Sequence, residues 1–301
     1  MRPFSWLLLA WSLGGLAQAA EPSPAWKSLE DFWGAPGWRE NGLEVLGFPR
    51  SDLNVMVEGV PLQAELGLTS RLKFRALSKG LAVKGQLVLL DQESRRVEAK
   101  LILDGFKLEG LQCLLVGETP AVKLLEFSGK GGESILNAQL KEILGLTGTP
   151  PTPLSFPTPA PGEAQAWAPL QEALGQKGFV QGKTLWVLAP GFSPASDPGI
   201  GFYSLRFQKE GGNLLVMGEA VLEAAPLAAV LKILAHEKMT VTALAPLASQ
   251  AGATRLRWWG AEDAAALTRA VQKVTALAAP SDASAAEPTP GPTPEASSEG
   301  L

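Results

Sequence analysis

Residues 81–90 read LAVKGQLVLL, and residues 213–222 read NLLVMGEAVL. Each is an apolar run with strand-like alternation and a glycine near its middle, Gly85 in one and Gly218 in the other. A glycine inside a strand marks a bulge or a close approach of another group to the backbone. These glycines are 133 residues apart, and so are Phe74 and Phe207, Val88-Leu89 and Val221-Leu222, and Leu111 and Leu244. Upstream the interval is 141, pairing Ala25-Trp26 with Ala166-Trp167, Leu29 with Leu170, Gly34 with Gly175, Gly37 with Gly178 and Pro49 with Pro190. Downstream it is 131, pairing Gly129 with Gly260 and Leu136 with Leu267. Intervals that hold over such lengths predict a duplicated domain. The copies span residues 25–146 and 166–277, the second being shorter by eight residues in one loop and two in another.

Periodicity supplies the elements of each copy. A short helix (SLEDFWG; PLQEALG) ends at a glycine, the residue a helix C′ position prefers. Strands follow: LEVLGF and TLWVLA, then RLKFRA and SLRFQ, then the two runs quoted above. The first copy adds LNVMVEGV, with Leu53, Val55 and Val57 alternating; most of it is deleted in the second. A helix comes next, with Val97 and Leu101 as a stripe in one copy and Leu227, Val230, Leu231 and Leu234 in the other. Residues 108–114, LEGLQCL, and 241–247, VTALAPL, are then one strand seen twice. AVKLLEF and TRLRWW pair beside it, and a last helix closes each copy, with Asp263 as N-cap of the second. The order α-β-(β)-β-β-α-β-β-α predicts an α+β fold, each copy an antiparallel or mixed sheet with helices packed on one face.

The ends bear on location. Arg2 followed by the apolar stretch WLLLAWSLGGLA and the small-x-small triplet Ala17-Gln18-Ala19 reads as a signal peptide over residues 1–20. No cysteine stands near the cut, so a lipoprotein is not expected. No later segment is long and apolar enough to insert in a membrane. The expectation is a soluble protein, periplasmic or secreted. A net charge of −4 offers no basic stripe for nucleic acid. Cys113 is the only cysteine, which excludes an internal disulfide. Residues 147–165, rich in Pro and Thr, read as an extended linker, and residues 281–301 as a solvated tail of Pro, Ala, Ser, Thr and Glu.

PRSDLNVMVEGVPLQAELGL, residues 49–68, carries a Pro-Arg-x-Asp-Leu run (Pro49, Arg50, Asp52, Leu53), a valine-rich strand and a Gly-Val-Pro turn at Gly59, Val60 and Pro61. LLVMGEAVL, VTAL and the turn Glu118-Thr119-Pro120 add further pieces. Together these resemble the LppY/LpqO family, exported bacterial proteins containing a domain of unknown function. The resemblance implies a His-Asn-His triplet after the VTAL-like strand and more histidines near a Gly-x-Gly turn, the material of a metal or proton-transfer site. This chain has Gln112-Cys113-Leu114 and Ala245-Pro246-Leu247 at the triplet's places, and Gly129-Lys130-Gly131 and Gly260-Ala261-Glu262 at the turn's. Neither copy carries the imidazoles, so no metal ligands and no cofactor are expected.

The remaining candidates each have two readings. Arg50 and Asp52, two apart on a strand, would share a face; they either hold an anionic ligand or pair to anchor a loop, and anchoring is the commoner use. Trp258-Trp259 sends one indole to each sheet face, and the outer one, Trp259, packs between the copies or faces a sugar or peptide. His236, alone at a helix end, is read as a solvated residue favoured by the dipole, and Cys113 as a buried, inert thiol. Asp91 and Glu93 read as dipole-complementing acids at a helix start. GKGGESI, residues 129–135, lacks P-loop spacing and reads as a strand-to-helix turn. The expectation is an exported non-catalytic protein that binds an unidentified ligand or envelope partner, with Arg50, Asp52, Glu118 and Trp259 as its ligand-binding residues. The alternatives are an enzyme with a polar site around Arg50, Asp52 and Glu118, and a purely structural envelope protein.

Overall fold

The computed structural model describes residues 24–34, 37–40, 43–151, 153, 161–188, 203–246 and 251–278. The signal-like segment, the tail and Pro190-Gly191-Phe192 lie outside them. In the first half, α1 (Pro24–Trp33) leads into β1 (Trp38–Glu40) and β2 (Leu43–Pro49), then β3 (Met56–Val57), β4 (Val60–Pro61) and α2 (Ala64–Gly67). The half continues with β5 (Thr69–Ala76), β6 (Leu81–Leu90), α3 (Asp91–Leu103), β7 (Lys107–Cys113), β8 (Glu118–Thr119), β9 (Val122–Gly131) and α4 (Glu133–Gly145). The second half holds α5 (Pro161–Ala166), α6 (Ala168–Leu174), β10 (Phe179–Gln181), β11 (Thr184–Leu188), β12 (Tyr203–Glu210) and β13 (Asn213–Leu222). It ends with α7 (Ala224–His236), β14 (Thr240–Pro246), β15 (Thr254–Asp263) and α8 (Ala264–Ala278).

The fold is α+β. Two six-stranded sheets run β1-β2-β5-β6-β9-β7 and β10-β11-β12-β13-β15-β14, the same order in chain sequence, and every pairing is antiparallel. The edge strands β7 and β14 both carry a register shift at the same place, between Leu108 and Gly110 and between Val241 and Ala243. A bulge on an edge strand turns its open hydrogen-bonding groups away from further pairing.

Period-two alternation gives each sheet two different faces. On one face Leu72, Phe74, Val83, Leu87, Leu125 and Phe127 meet α1, α3 and α4 in one core. In the other sheet Leu205, Phe207, Val216, Leu256 and Trp258 meet α6, α7 and α8. The opposite faces are turned toward each other, with the short α2 packed against β12 and β13. Val55, Val57, Leu66, Val88 and Leu124 of the first half share a buried cluster with Leu215 and Trp259 of the second. The layers therefore run helices, sheet, sheet, helices.

The mid-strand glycines are close approaches, not bulges. Gly85 stands opposite Phe127, and Gly218 opposite Trp258. A Cβ added at either would fall 2.1 Å from the facing ring. Two residues further along β9 and β15, Gly129 receives Phe106 and Gly260, less tightly, Met239. Each sheet thus uses missing side chains to seat a large one flat on its backbone.

Several local expectations are modified. LNVMVEGV is a short hairpin, β3 and β4, turned by Glu58 and Gly59 at positive φ, and its Val55 and Val57 point into the inter-sheet cluster. The three-residue strands β1 and β10 were invisible to periodicity because they are shorter than one alternation pattern. The linker does not begin as a free spacer. Thr147 and Thr149 are hydrogen-bonded, Thr149 is buried, and residues 161–166 form α5. Asp263 caps α8 as expected, accepting from the N–H groups of Ala265 and Ala266.

Replacing Gly218 with alanine forces a methyl into the Trp258 ring and is expected to cost about 1–3 kcal/mol through overpacking. At Gly110 the nearest atom to an added Cβ is 3.6 Å away, so Gly110→Ala is expected to be near neutral. Urea unfolding of both variants checks the contrast.

Candidate functional site

Arg50 follows β2 directly, and its side chain is fully buried. A guanidinium has five N–H donors, and all five are used. Nε donates to Asp52 Oδ1 at 2.8 Å, and Nη2 to Asp52 Oδ2 at 2.8 Å and to Glu93 Oε1 at 3.0 Å. Nη1 donates to Glu93 Oε2 at 2.9 Å and to the Val88 carbonyl. Arg50 and Asp52 are not on a strand as expected: residues 51 and 52 form a turn, which lets Asp52 fold back beside the arginine.

Glu93 is the partner that sequence reading missed. It sits in the first turn of α3, where its carboxylate also accepts from the Leu90 N–H at 2.8 Å and the Gly148 N–H at 2.9 Å. One residue thus caps α3, neutralises Arg50 across 43 positions of sequence, and pins the chain leaving α4. A glutamate three residues after a helix's first flanking residue was the available signal, and it announced the cap alone. Burial works to raise the Glu93 carboxyl, but the Arg50 contact and the backbone donors outweigh it and hold it below its ordinary range. Burial likewise acts against the Arg50 charge, and Asp52 and Glu93 more than offset it.

The other expected site residues lie elsewhere. Glu118 is in β8, where its Oε1 accepts from the Val122 N–H at 3.1 Å; none of Arg50's donors reaches it. Trp259 is buried in the inter-sheet cluster, and Trp258 in the core beneath α7 and α8. Cys113, expected to be buried, is exposed at the end of the edge strand β7. His236 is exposed at the last residue of α7. Among the described residues no group of three or more His, Cys, Asp or Glu is arranged to hold a metal ion.

A second polar cluster lies between the sheets. Arg255 Nη1 donates to both Glu126 oxygens at 2.8 and 2.9 Å, and Arg257 Nη2 donates to Glu126 Oε1 at 2.9 Å. Arg257 Nε donates to Glu219 Oε2 at 3.1 Å, and Gln86 Nε2 to Glu126 Oε1 at 2.8 Å. Beside them Trp186 is flanked by Arg71 of one half and Arg206 of the other, whose guanidinium carbons stand 4.7 and 4.9 Å from the ring centre. Burial works to raise the Glu219 carboxyl, yet Arg257 and Arg255 overcome it and hold it at about 2. Glu126, opposed in the same way by burial, is lowered by the same two arginines.

A family model described as a domain of unknown function (DUF1259) matches residues 27–145. Two solved structures are similar. One is an unknown protein from Galdieria sulphuraria, 12% identical, covering 65% of this chain and 90% of that one, with a TM-score of 0.20. The other is TP0453, 13% identical, covering 85% and 100%, with a TM-score of 0.20. No curated protein matches the chain.

Removing the charge of Glu93 with Glu93→Gln leaves Arg50 with one acid. It is expected to cost toward the lower end of the roughly 3–5 kcal/mol typical of a broken buried pair, measured by chemical denaturation. The acid limb follows from the same contacts. Glu93, Glu126 and Glu219 have folded pKa values below the ordinary 4.5, so their contribution is complete above that value. It is lost as pH falls from there toward about 2, the folded value of Glu219. Denaturation midpoints are expected to be flat from pH 7 to about 5 and to decline steeply below.

Proposed function

We propose that this chain is an exported, non-catalytic binding protein, built from two divergent copies of an LppY/LpqO-like domain and working in the periplasm or outside the cell. The observation that carries the reading is the saturation of Arg50. The most polar residue of the Pro-Arg-x-Asp motif has no donor left for a substrate, and its acids serve a helix cap and a loop. Glu118 is committed to its own turn. The lone histidine is far in sequence from both and ends a helix. General acid–base work needs a proton-exchanging group beside the reacting atom, and the Arg50 guanidinium does not give up its proton while the carboxylates of Asp52 and Glu93 are both held by it.

The matching strand orders and the paired glycine seats support the two-copy reading. So does the pairing of Glu126 with Arg257, which occupy corresponding places in β9 and β15, each one step before its seated aromatic ring. No helix of the described residues is long and apolar enough to cross a membrane. The segment over residues 1–20 supports export with cleavage after Ala19 or Ala20.

Two measurements test the reading. Mass spectrometry of the exported protein is expected to find a mature chain starting at Ala20 or Glu21; retention of residues 1–20 refutes export. The purified mature chain is expected to hold no stoichiometric zinc or iron and to hydrolyse no chromogenic acyl, phosphoryl or glycosyl ester above buffer. Turnover that Glu118→Gln abolishes without loss of thermal stability overturns the non-catalytic reading.

A further inference from the structure

The two halves share no strand. Among the described residues every strand of the first half pairs within its own half, and so does every strand of the second. The core beneath α1, α3 and α4 is built from residues between Trp26 and Leu144, and the one beneath α6, α7 and α8 from residues between Trp167 and Val274. Both ends of the connecting stretch are fixed locally. The Gly148 N–H donates to Glu93 and the Thr149 N–H to Thr147, within the first half, and α5 already belongs to the second.

The halves meet instead through an inner surface with three kinds of fit. The first is shape. A Cβ added at Gly67 would fall 2.3 Å from the Met217 sulfur, and one added at Gly182 would fall 2.9 Å from Glu65 Oε1, so side chains of each half sit on the backbone of the other. The second is apolar burial, with Leu215 and Trp259 of the second half buried among Val55, Val57, Val88 and Leu124 of the first. The third is polar pairing. Gln208, fully buried, accepts from the Gln63 N–H and donates to the Pro61 carbonyl, both at 2.8 Å. Glu126 of the first half meets Arg255 and Arg257 of the second at 2.8 and 2.9 Å. Buried aromatic and arginine anchors surrounded by paired polar groups are the means by which separate proteins bind each other.

We propose that the inner face of the first half is a protein-binding surface whose partner is the second half as a separable molecule. The two associate through these contacts, and the connecting stretch only raises their local concentration. A short linker supplies an effective concentration on the order of millimolar, and the interface holds well below that. A chain cut within residues 154–160, LSFPTPA, therefore remains a two-chain complex. This association is independent of whether the chain turns over a substrate.

The test uses the full chain with a recognition sequence for a specific protease inserted between Phe156 and Pro157, cut after folding. Size-exclusion chromatography after overnight dilution, from micromolar to nanomolar concentration, reads the association. The two wild-type fragments are expected to elute together at the size of the intact chain at micromolar concentration. Glu126→Arg sets a cation against Arg255 and Arg257, and is expected to raise the concentration at which the fragments part by about 10-fold or more. Gln208→Ala removes two hydrogen bonds between the halves without adding a charge. It is expected to raise that concentration by about 10-fold, and it guards against misfolding of the first variant. Separation of the wild-type fragments at micromolar concentration overturns the proposal. So does loss of far-UV circular dichroism on cutting, which makes the connecting stretch the element that keeps the halves folded. An unchanged parting concentration in both variants overturns it too, because the hold then lies outside this face.

Discussion

The contact between Glu126 of β9 and Arg255 and Arg257 of β15 is the constraint on which the arrangement of the two sheets depends. Each sheet has one face covered by three helices, and its other face must be buried or left to water. That second face is mixed: Val88 and Leu124 are apolar, and Arg71, Gln86 and Glu126 are not. Closing two such faces strips water from the ions, and that loss is recovered only if every charge meets a partner at good geometry. Glu126 meets two arginines and an amide, and Glu219 meets the same two arginines from the other side. The ion cluster fixes which residues face each other, and the apolar contacts around Trp259 add the free energy of burial.

Glu126 and Arg257 hold corresponding places in β9 and β15 and meet across this junction. Two glutamates or two arginines there would repel, and one of each attracts. Other differences serve the same closure. The hairpin β3–β4 and α2 belong to the first half, yet they lean on the second: Gln208 donates to the Pro61 carbonyl and accepts from the Gln63 N–H. Gly67 lies so close to Met217 that any side chain there would displace its sulfur.

Arg50 shows how a motif residue can be absorbed into architecture. Buried and saturated, it ties the turn after β2 to the carbonyl of Val88 in β6, the start of α3 and the chain leaving α4. The guanidinium itself joins the turn after β2 to the β6–α3 junction, and Glu93, which it holds, carries the tie on to Gly148. The linker begins packed instead of free for the same reason: the Gly148 N–H is one of the donors that keep Glu93 ionised.

Much of the fold was legible along the chain, because alternation and glycine placement are local properties. The long strands, the helices with apolar stripes and the Asp263 cap follow from side chains a few residues apart, whereas the ring that each mid-strand glycine seats comes from another strand. What the chain order could not convey was which polar groups meet. Nothing near Glu93 marks Arg50 as its partner, and nothing near Trp186 announces two arginines from different halves against its ring. Exposure of Cys113 was equally out of reach, since burial of an edge strand depends on what lies above it. By itself the sequence determined the elements, their faces and the paucity of imidazole. Tertiary structure alone decided that the bare faces close on each other and that the arginines converge, because charge partners are chosen by distance in space, which sheet packing sets.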